Sequence, residues 1–260
     1  MSALSLAEQL KRLRLSGILE TFESRLMQAR QNALSHSEWL SLLLQDEIQR
    51  RESQALTERL KRAKFEHEKT FEGFNLSRYA LEIQHSIHDL MSGHYLREHQ
   101  HVLIVGPTGT GKTHLAQALG HQACRQGKTV RFIRAAVLLR DLHASRADNS
   151  WERTLKRYTT PDLLIIDDFG LSALSFSQAE DLYEIVAERH TKASCVLTSN
   201  RKISAWIELF PDPAMGNAVT DRLAHQSHQL VLEGDSYRRQ LKPGASAPVE
   251  AGIQVEATPS

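Results

Sequence analysis

Residues 101–113, His-Val-Leu-Ile-Val-Gly-Pro-Thr-Gly-Thr-Gly-Lys-Thr, run a short apolar segment straight into a glycine-rich turn. No other stretch of the chain constrains its fold as tightly. Val102 to Val105 have the length and β-branched content of a fully buried strand. Gly106, Gly109 and Gly111 lack a Cβ where the backbone must curl to turn its N–H groups toward an anion. Pro107, Thr108 and Thr110 complete the turn. Lys112 can reach β- and γ-phosphates, and the Thr113 hydroxyl suits Mg²⁺. From His114 the chain reads as a helix whose N-terminal dipole favours bound phosphate. Strand, loop and helix in that order imply a bound nucleoside triphosphate, contacted by residues 106–114.

The bulk properties narrow the classes. The chain has 260 residues, enough for one large domain or one domain plus a smaller one. A net charge of +1 gives no bulk attraction to nucleic acid, so any such contact must use local patches. No stretch approaches the roughly 18 apolar residues of a membrane-spanning helix, and the N-terminus has no signal-peptide core. A cytoplasmic protein without a membrane partner is expected. Cys124 and Cys195 lie within apolar elements and read as buried small hydrophobes. His85 and His88 share a helical face, as do His225 and His228 if that helix runs so far, but neither pair has a carboxylate or thiolate at ligand spacing.

Three regions are expected. Residues 1–70 form a small all-helical domain for DNA or a partner, 71–242 the ATPase domain, and 243–260 a disordered tail rich in Pro, Ala, Gly and Ser. In the first region, Leu6, Leu10, Leu13, Ile18, Phe22 and Leu26 recur near helical spacing, with Gly17 a weak point. Ser35-His-Ser-Glu starts a second helix bearing Trp39, Leu40, Leu43, Leu44 and Ile48. A third stretch carries Leu56, Leu60 and Phe65, and residues 66–76 read as a linker. A helix over 77–91 then leads to the first strand. Further strands are expected at 129–133, 162–166, 194–198 and 228–232, with helical segments between. That alternation predicts an α/β fold with a parallel sheet covered on both faces.

Three more motifs follow the phosphate loop in order. Leu163-Leu-Ile-Ile-Asp-Asp buries a strand and presents two carboxylates at its end. Asp167 is placed to hold Mg²⁺, and Asp168 to polarise the attacking water or, more plainly, to cap the next turn. Asn200 ends another apolar strand, where it can orient the water or the γ-phosphate, or simply close the strand. Arg222, in Asn217-Ala-Val-Thr-Asp-Arg-Leu, is the candidate arginine finger, with a salt bridge to Asp221 or another carboxylate as the alternative.

Together these residues resemble the AAA+ ATPases, and within them the helicase loaders such as DnaC. The similarity to the IstB family, ATP-binding helpers of insertion-sequence transposition, is closer still. Leu13-Arg-Leu-Ser-Gly, Glu38-Trp-Leu-Ser-Leu-Leu-Leu, Arg62-Ala-Lys-Phe, the loop through Ala116, Asp167-Asp-Phe-Gly, Thr198-Ser-Asn and Ser236-Tyr-Arg carry it. The resemblance implies a five-stranded sheet of order 5-1-4-3-2 and ATP held at subunit interfaces of a homo-oligomer. It also implies assembly on duplex DNA and help to a partner transposase of the integrase type. Lys112, Asp168, Asn200 and Arg222 would be catalytic, with Thr113 and Asp167 on the metal. One departure is expected: too little chain follows the last strand for the usual helical lid, which would be reduced or absent. Arg238 or Arg239 is at best a weak substitute for a lid arginine.

Two basic segments are candidate DNA contacts. Arg50, Arg51, Arg59, Lys61, Arg62 and Lys64 crowd residues 50–64, and Arg134, Arg140, Lys156 and Arg157 fall within 131–157. Lysine and arginine on phosphates give affinity without sequence preference. Interleaved Asp141, Asp148 and Glu152 also allow a salt-bridged surface. The rival functions are a replicative helicase loader and a small-molecule kinase. Paired Asp167-Asp168, Asn200 and Arg222 argue against the kinase.

Overall fold

The computed structural model describes residues 5–234. The Ser236-Tyr-Arg segment, Arg238 and Arg239, the lid question and the 243–260 tail lie outside the described residues.

The chain opens with three helices, α1 (Leu6–Arg12), α2 (Ser16–Gln31) and α3 (His36–Ala63). Ser5 with Glu8, and Ser35 with Glu38, form reciprocal capping boxes that start α1 and α3. No N-cap side chain serves α2. Instead Glu47, buried on α3, accepts the amides of Gly17 (2.6 Å) and Ile18 (3.4 Å). A carboxylate at a helix N-terminus satisfies orphan donors and complements the dipole. A Cβ on Gly17 would lie 2.8 Å from Glu47 Cα. The residue read as a helix weak point is therefore where α2 and α3 touch. Leu10, Ile18 and Leu43 form the local core, with Phe22 edge-on to Trp39 at 5.6 Å.

Residues Leu56, Leu60 and Ala63 of α3 leave that small core and pack against the main one. The segment read as a linker follows the same surface. It forms short 3₁₀ turns at Phe71–Gly73 and Leu76–Arg78, burying Phe74. Gly73 and Asn75 suggested a linker, but Phe71, Phe74 and Tyr79 anchor the segment at irregular spacing. Helices α4 (Leu81–Met91) and α5 (His94–Arg97) then lead into the sheet.

Strands β1 (His101–Val105), β2 (Val130–Arg134), β3 (Leu163–Phe169), β4 (Ser194–Ser199) and β5 (Ser227–Val231) are all parallel, in the order β2-β3-β4-β1-β5. Read from the other edge, this is the expected 5-1-4-3-2. Helix α6 (Lys112–Arg125) covers one face, packing Leu115 and Leu119 with Val102, Ile104 and Ile165. Helices α7 (Ala135–Ala147), α9 (Phe176–Arg189) and α10 (Pro213–His225) cover the other, around Leu103, Ile166 and Leu197. A short α8 (Trp151–Thr159) packs beside α7. Strand residues alternate between these two cores because successive side chains point to opposite faces. Cys124 and Cys195 are both buried free thiols.

Candidate nucleotide site

The loop from Gly106 to Gly111 links the end of β1 to the start of α6. Gly106 has φ 151, and a Cβ there would come within 2.1 Å of the Leu232 carbonyl. Only glycine lets the backbone pass so close. Lys112 folds back into this curl, its Nζ donating to Gly106 O and Pro107 O at 2.7 Å each. Thr110 Oγ1 donates to Pro107 O at 2.9 Å, while Pro107 and Thr108 face solvent. These carbonyls are stand-in partners for the Lys112 ammonium, whose chemistry suits phosphate oxygens equally well. A concave backbone at a helix N-terminus with a lysine beside it fits a triphosphate.

Tyr79 comes from the segment read as helix. Its hydroxyl donates to Thr110 O at 2.8 Å, and its ring stacks on Phe74 at 5.4 Å. No sequence signal marked it. The ring of His114, expected at the nucleotide, is held by Thr70 and Phe74. Its Nε2 lies 2.9 Å from Thr70 O and its ring meets Phe74 edge-on, with burial holding its pKa below the ordinary value.

Strand β3 brings in the acidic pair. Asp167 is buried, and Thr113 Oγ1 lies 3.0 and 3.1 Å from its two carboxylate oxygens. Thr198 Oγ1 on β4 donates to Asp167 Oδ1 at 2.5 Å and accepts the Asp168 amide at 2.9 Å. Burial raises the Asp167 pKa; the Thr198 hydrogen bond opposes it, and the Asp168 charge adds to the rise. A hydroxyl and a carboxylate so close together are the hard oxygen donors Mg²⁺ takes, so the set fits that ion.

Asp168 adopts a left-handed conformation, φ 56, where β3 shifts register against β4 between Ile166 and Phe169. Such a bulge re-aims a side chain at a sheet edge. Strain at a functional position is common, and aspartate tolerates it better than most residues. Asn200 is exposed just past β4. The turn beside it is held by Ser199 Oγ on Phe169 O (2.7 Å) and Arg201 Nε on Gly170 O (2.7 Å).

Arg222 is set apart from this constellation. It sits in the last turn of α10, on the face of the sheet opposite α6. Its guanidinium lies 5.0 Å from the Tyr183 ring centre and donates to Ala218 O at 3.1 Å.

The basic candidates divide. Arg50 pairs with Glu20, Arg51 with Glu47, and Arg59 donates to Cys124 O on α6. Arg134 pairs with Glu66. Lys61, Arg62, Lys64, Arg140, Lys156 and Arg157 are exposed.

Sheet order, phosphate loop and acidic strand end define the class: an AAA+ P-loop ATPase. The fold is that of the DnaC helicase loader (TM-score 0.52, 23% identity, covering 64% of this chain and 100% of that one). It is likewise that of DnaI (TM-score 0.55, 15% identity, 64% and 92%). The chain belongs to the family of IstB-like ATP binding proteins, whose family model matches residues 8–245. An insertion-sequence ATP-binding protein of Mycobacterium tuberculosis is 43% identical over 241 residues, 92% of this chain and 96% of the relative. A second, from Sinorhizobium fredii, is 37% identical over 90% and 94%, and one from Pseudomonas aeruginosa 33% over 90% and 88%. No helix among the described residues is long and apolar enough to cross a membrane.

Proposed function

We propose that this ATPase uses bound ATP to assemble on duplex DNA in the cytoplasm and there helps an integrase-type transposase insert its element. The insertion-sequence setting comes from the names of the relatives. The observation that carries the reading is the division of the machinery. Lys112, Thr113, Asp167 and Asp168 converge, whereas Arg222 stands on the opposite face of the sheet. A site so divided is completed by an adjacent copy.

Gly106, Gly109, Gly111 and Lys112 cradle the phosphates. Thr113 and Asp167 hold Mg²⁺, which when bound supplies charge that offsets the phosphate oxygens. Asp168 accepts a proton from the attacking water, Asn200 orients that water, and Arg222 of one copy reaches the ATP of the next. The helices of residues 1–70 and the surface bearing Arg140, Lys156 and Arg157 face DNA phosphates, while 71–242 carries the ATPase.

Retention of duplex DNA on the full-length protein, measured with ATP, with ADP and without nucleotide, tests this. ATP-dependent retention that needs Lys112 supports it. Retention indifferent to nucleotide overturns it, and ATP-dependent binding to a hexameric helicase instead would favour the loader reading.

A further inference from the structure

We infer that Tyr79 is a positioning residue for the phosphate cradle: its hydroxyl holds the peptide between Thr110 and Gly111 so that the Gly111 amide faces the phosphates. This rests on residues 106–113 being the loop that holds them.

The Tyr79 hydroxyl donates to Thr110 O at 2.8 Å. The peptide that follows is trans, and in a planar trans peptide the C=O and the next N–H point in opposite directions. A hydroxyl that fixes the Thr110 carbonyl therefore fixes the Gly111 N–H on the side away from Tyr79. That side is the one we assign to the phosphates. An amide already aimed at an anion need not reorient when the anion arrives, so less of the binding energy is spent on ordering the loop.

The anchor depends on close approach. Gly111 has φ 93, and a Cβ there would lie 2.6 Å from the Tyr79 hydroxyl and 3.3 Å from the Phe74 ring. The missing side chain thus admits Tyr79 as well as permitting the turn. Thr110 is buried, and its own hydroxyl donates to Pro107 O at 2.9 Å. Its side chain is tied to the loop and its carbonyl to the segment before β1.

Tyr79 is itself held. Its ring stacks on Phe74 at 5.4 Å with 10° between the planes, and Gln84 Nε2 donates to Tyr79 O at 2.8 Å. Phe74 in turn meets His114 edge-on at 5.2 Å. His114 lies in the first turn of α6, so the ring pair is registered against the helix whose N-terminus closes the loop. A hydroxyl placed this way defines one orientation of the peptide it holds.

The test uses full-length protein with Tyr79→Phe, which keeps the ring and its stack and removes the donor. Losing this one hydrogen bond is expected to weaken a fluorescent ADP analogue about fivefold. The KM for ATP is expected to rise by the same factor with kcat and Tm little changed. Pyrophosphate, which carries phosphates and no base, is expected to weaken equally when it competes with that analogue. The downfield displacement of the Gly111 amide proton at saturating pyrophosphate is expected to shrink. Wild-type affinity for both ligands, or an unchanged Gly111 proton despite weaker binding, would each overturn the inference. Weakening of the ADP analogue alone would also overturn it, because Tyr79 would then serve the base. Lys112→Ala binding pyrophosphate as tightly as wild type would instead refute the reading of the loop.

Discussion

Thr198 Oγ1 lies 2.5 Å from Asp167 Oδ1 and at the same time accepts the amide of Asp168. One hydroxyl on β4 thereby fixes the side chain of one carboxylate and the strained backbone of the next. Thr198→Val keeps the shape and removes both bonds. Groups that orient metal-binding side chains are typically worth about 10–100-fold. Hydrolysis is expected to fall by that order, with a smaller change in affinity for a fluorescent ATP analogue. Wild-type turnover in the variant would show that Asp167 and Asp168 need no such support.

Asp167 is expected to oppose folding of the nucleotide-free protein. Burial raises its folded-state pKa above the ordinary carboxylate value, so the folded form holds its proton to higher pH than the unfolded chain does. The unfavourable contribution is absent below the unfolded pKa. It grows as pH rises and is complete above the raised value. Asp167→Asn should therefore raise Tm at pH 7, flatten the loss of Tm between acid and neutral pH, and abolish the further stabilisation that Mg²⁺ adds to ATP. Scanning fluorimetry across that range decides it, and a variant less stable at pH 7 than wild type would contradict the sign.

Arg222→Ala should hydrolyse ATP poorly while binding it normally, and Lys112→Ala should fail to bind. Mixed together, the two should recover part of the activity, because a Lys112→Ala subunit still lends its Arg222 to an Arg222→Ala neighbour. An arginine finger is worth about 10³–10⁵ in rate, so even partial rescue is easily measured. A mixture no better than its parts would place Arg222 in its own subunit's structure, against Tyr183.

A fragment of residues 71–242 should be poorly soluble and markedly less stable than the whole chain. Cutting there strips Leu56, Leu60, Ala63 and Phe65 from the core face that contains Ile165 and Leu119. A fragment beginning near residue 50 should fold. Comparison of their urea transitions checks this, and equal midpoints would show that the end of α3 only rests on the surface.

Strands β1, β3 and β4 were readable because each holds an apolar run, and the phosphate loop because its glycines are closely spaced along the chain. Asp167 stood out because a carboxylate ends a buried strand. Thr198 was part of a motif noted for Asn200, yet nothing local distinguishes a threonine that caps a carboxylate from one that fills a strand. Glu47 with Gly17, Glu66 with Arg134, and Tyr79 with Thr110 are separated by 30, 68 and 31 residues, so only the folded chain reveals them. Gly73 and Asn75 made the 66–76 segment read as a linker, and its aromatic residues fall at no helical or strand spacing, though Phe71 and Phe74 are seated.

The 28 residues of α3 contain neither glycine nor proline, and at 1.5 Å per residue they make a rod about 42 Å long. One end carries Trp39; the other rests beside the phosphate-loop helix. A rod pivoting at its seat multiplies motion: a tilt of about 5° sweeps its far end through roughly 4 Å. The geometry makes α3 a lever arm: any tilt at its seat would be magnified at the end that carries the first two helices.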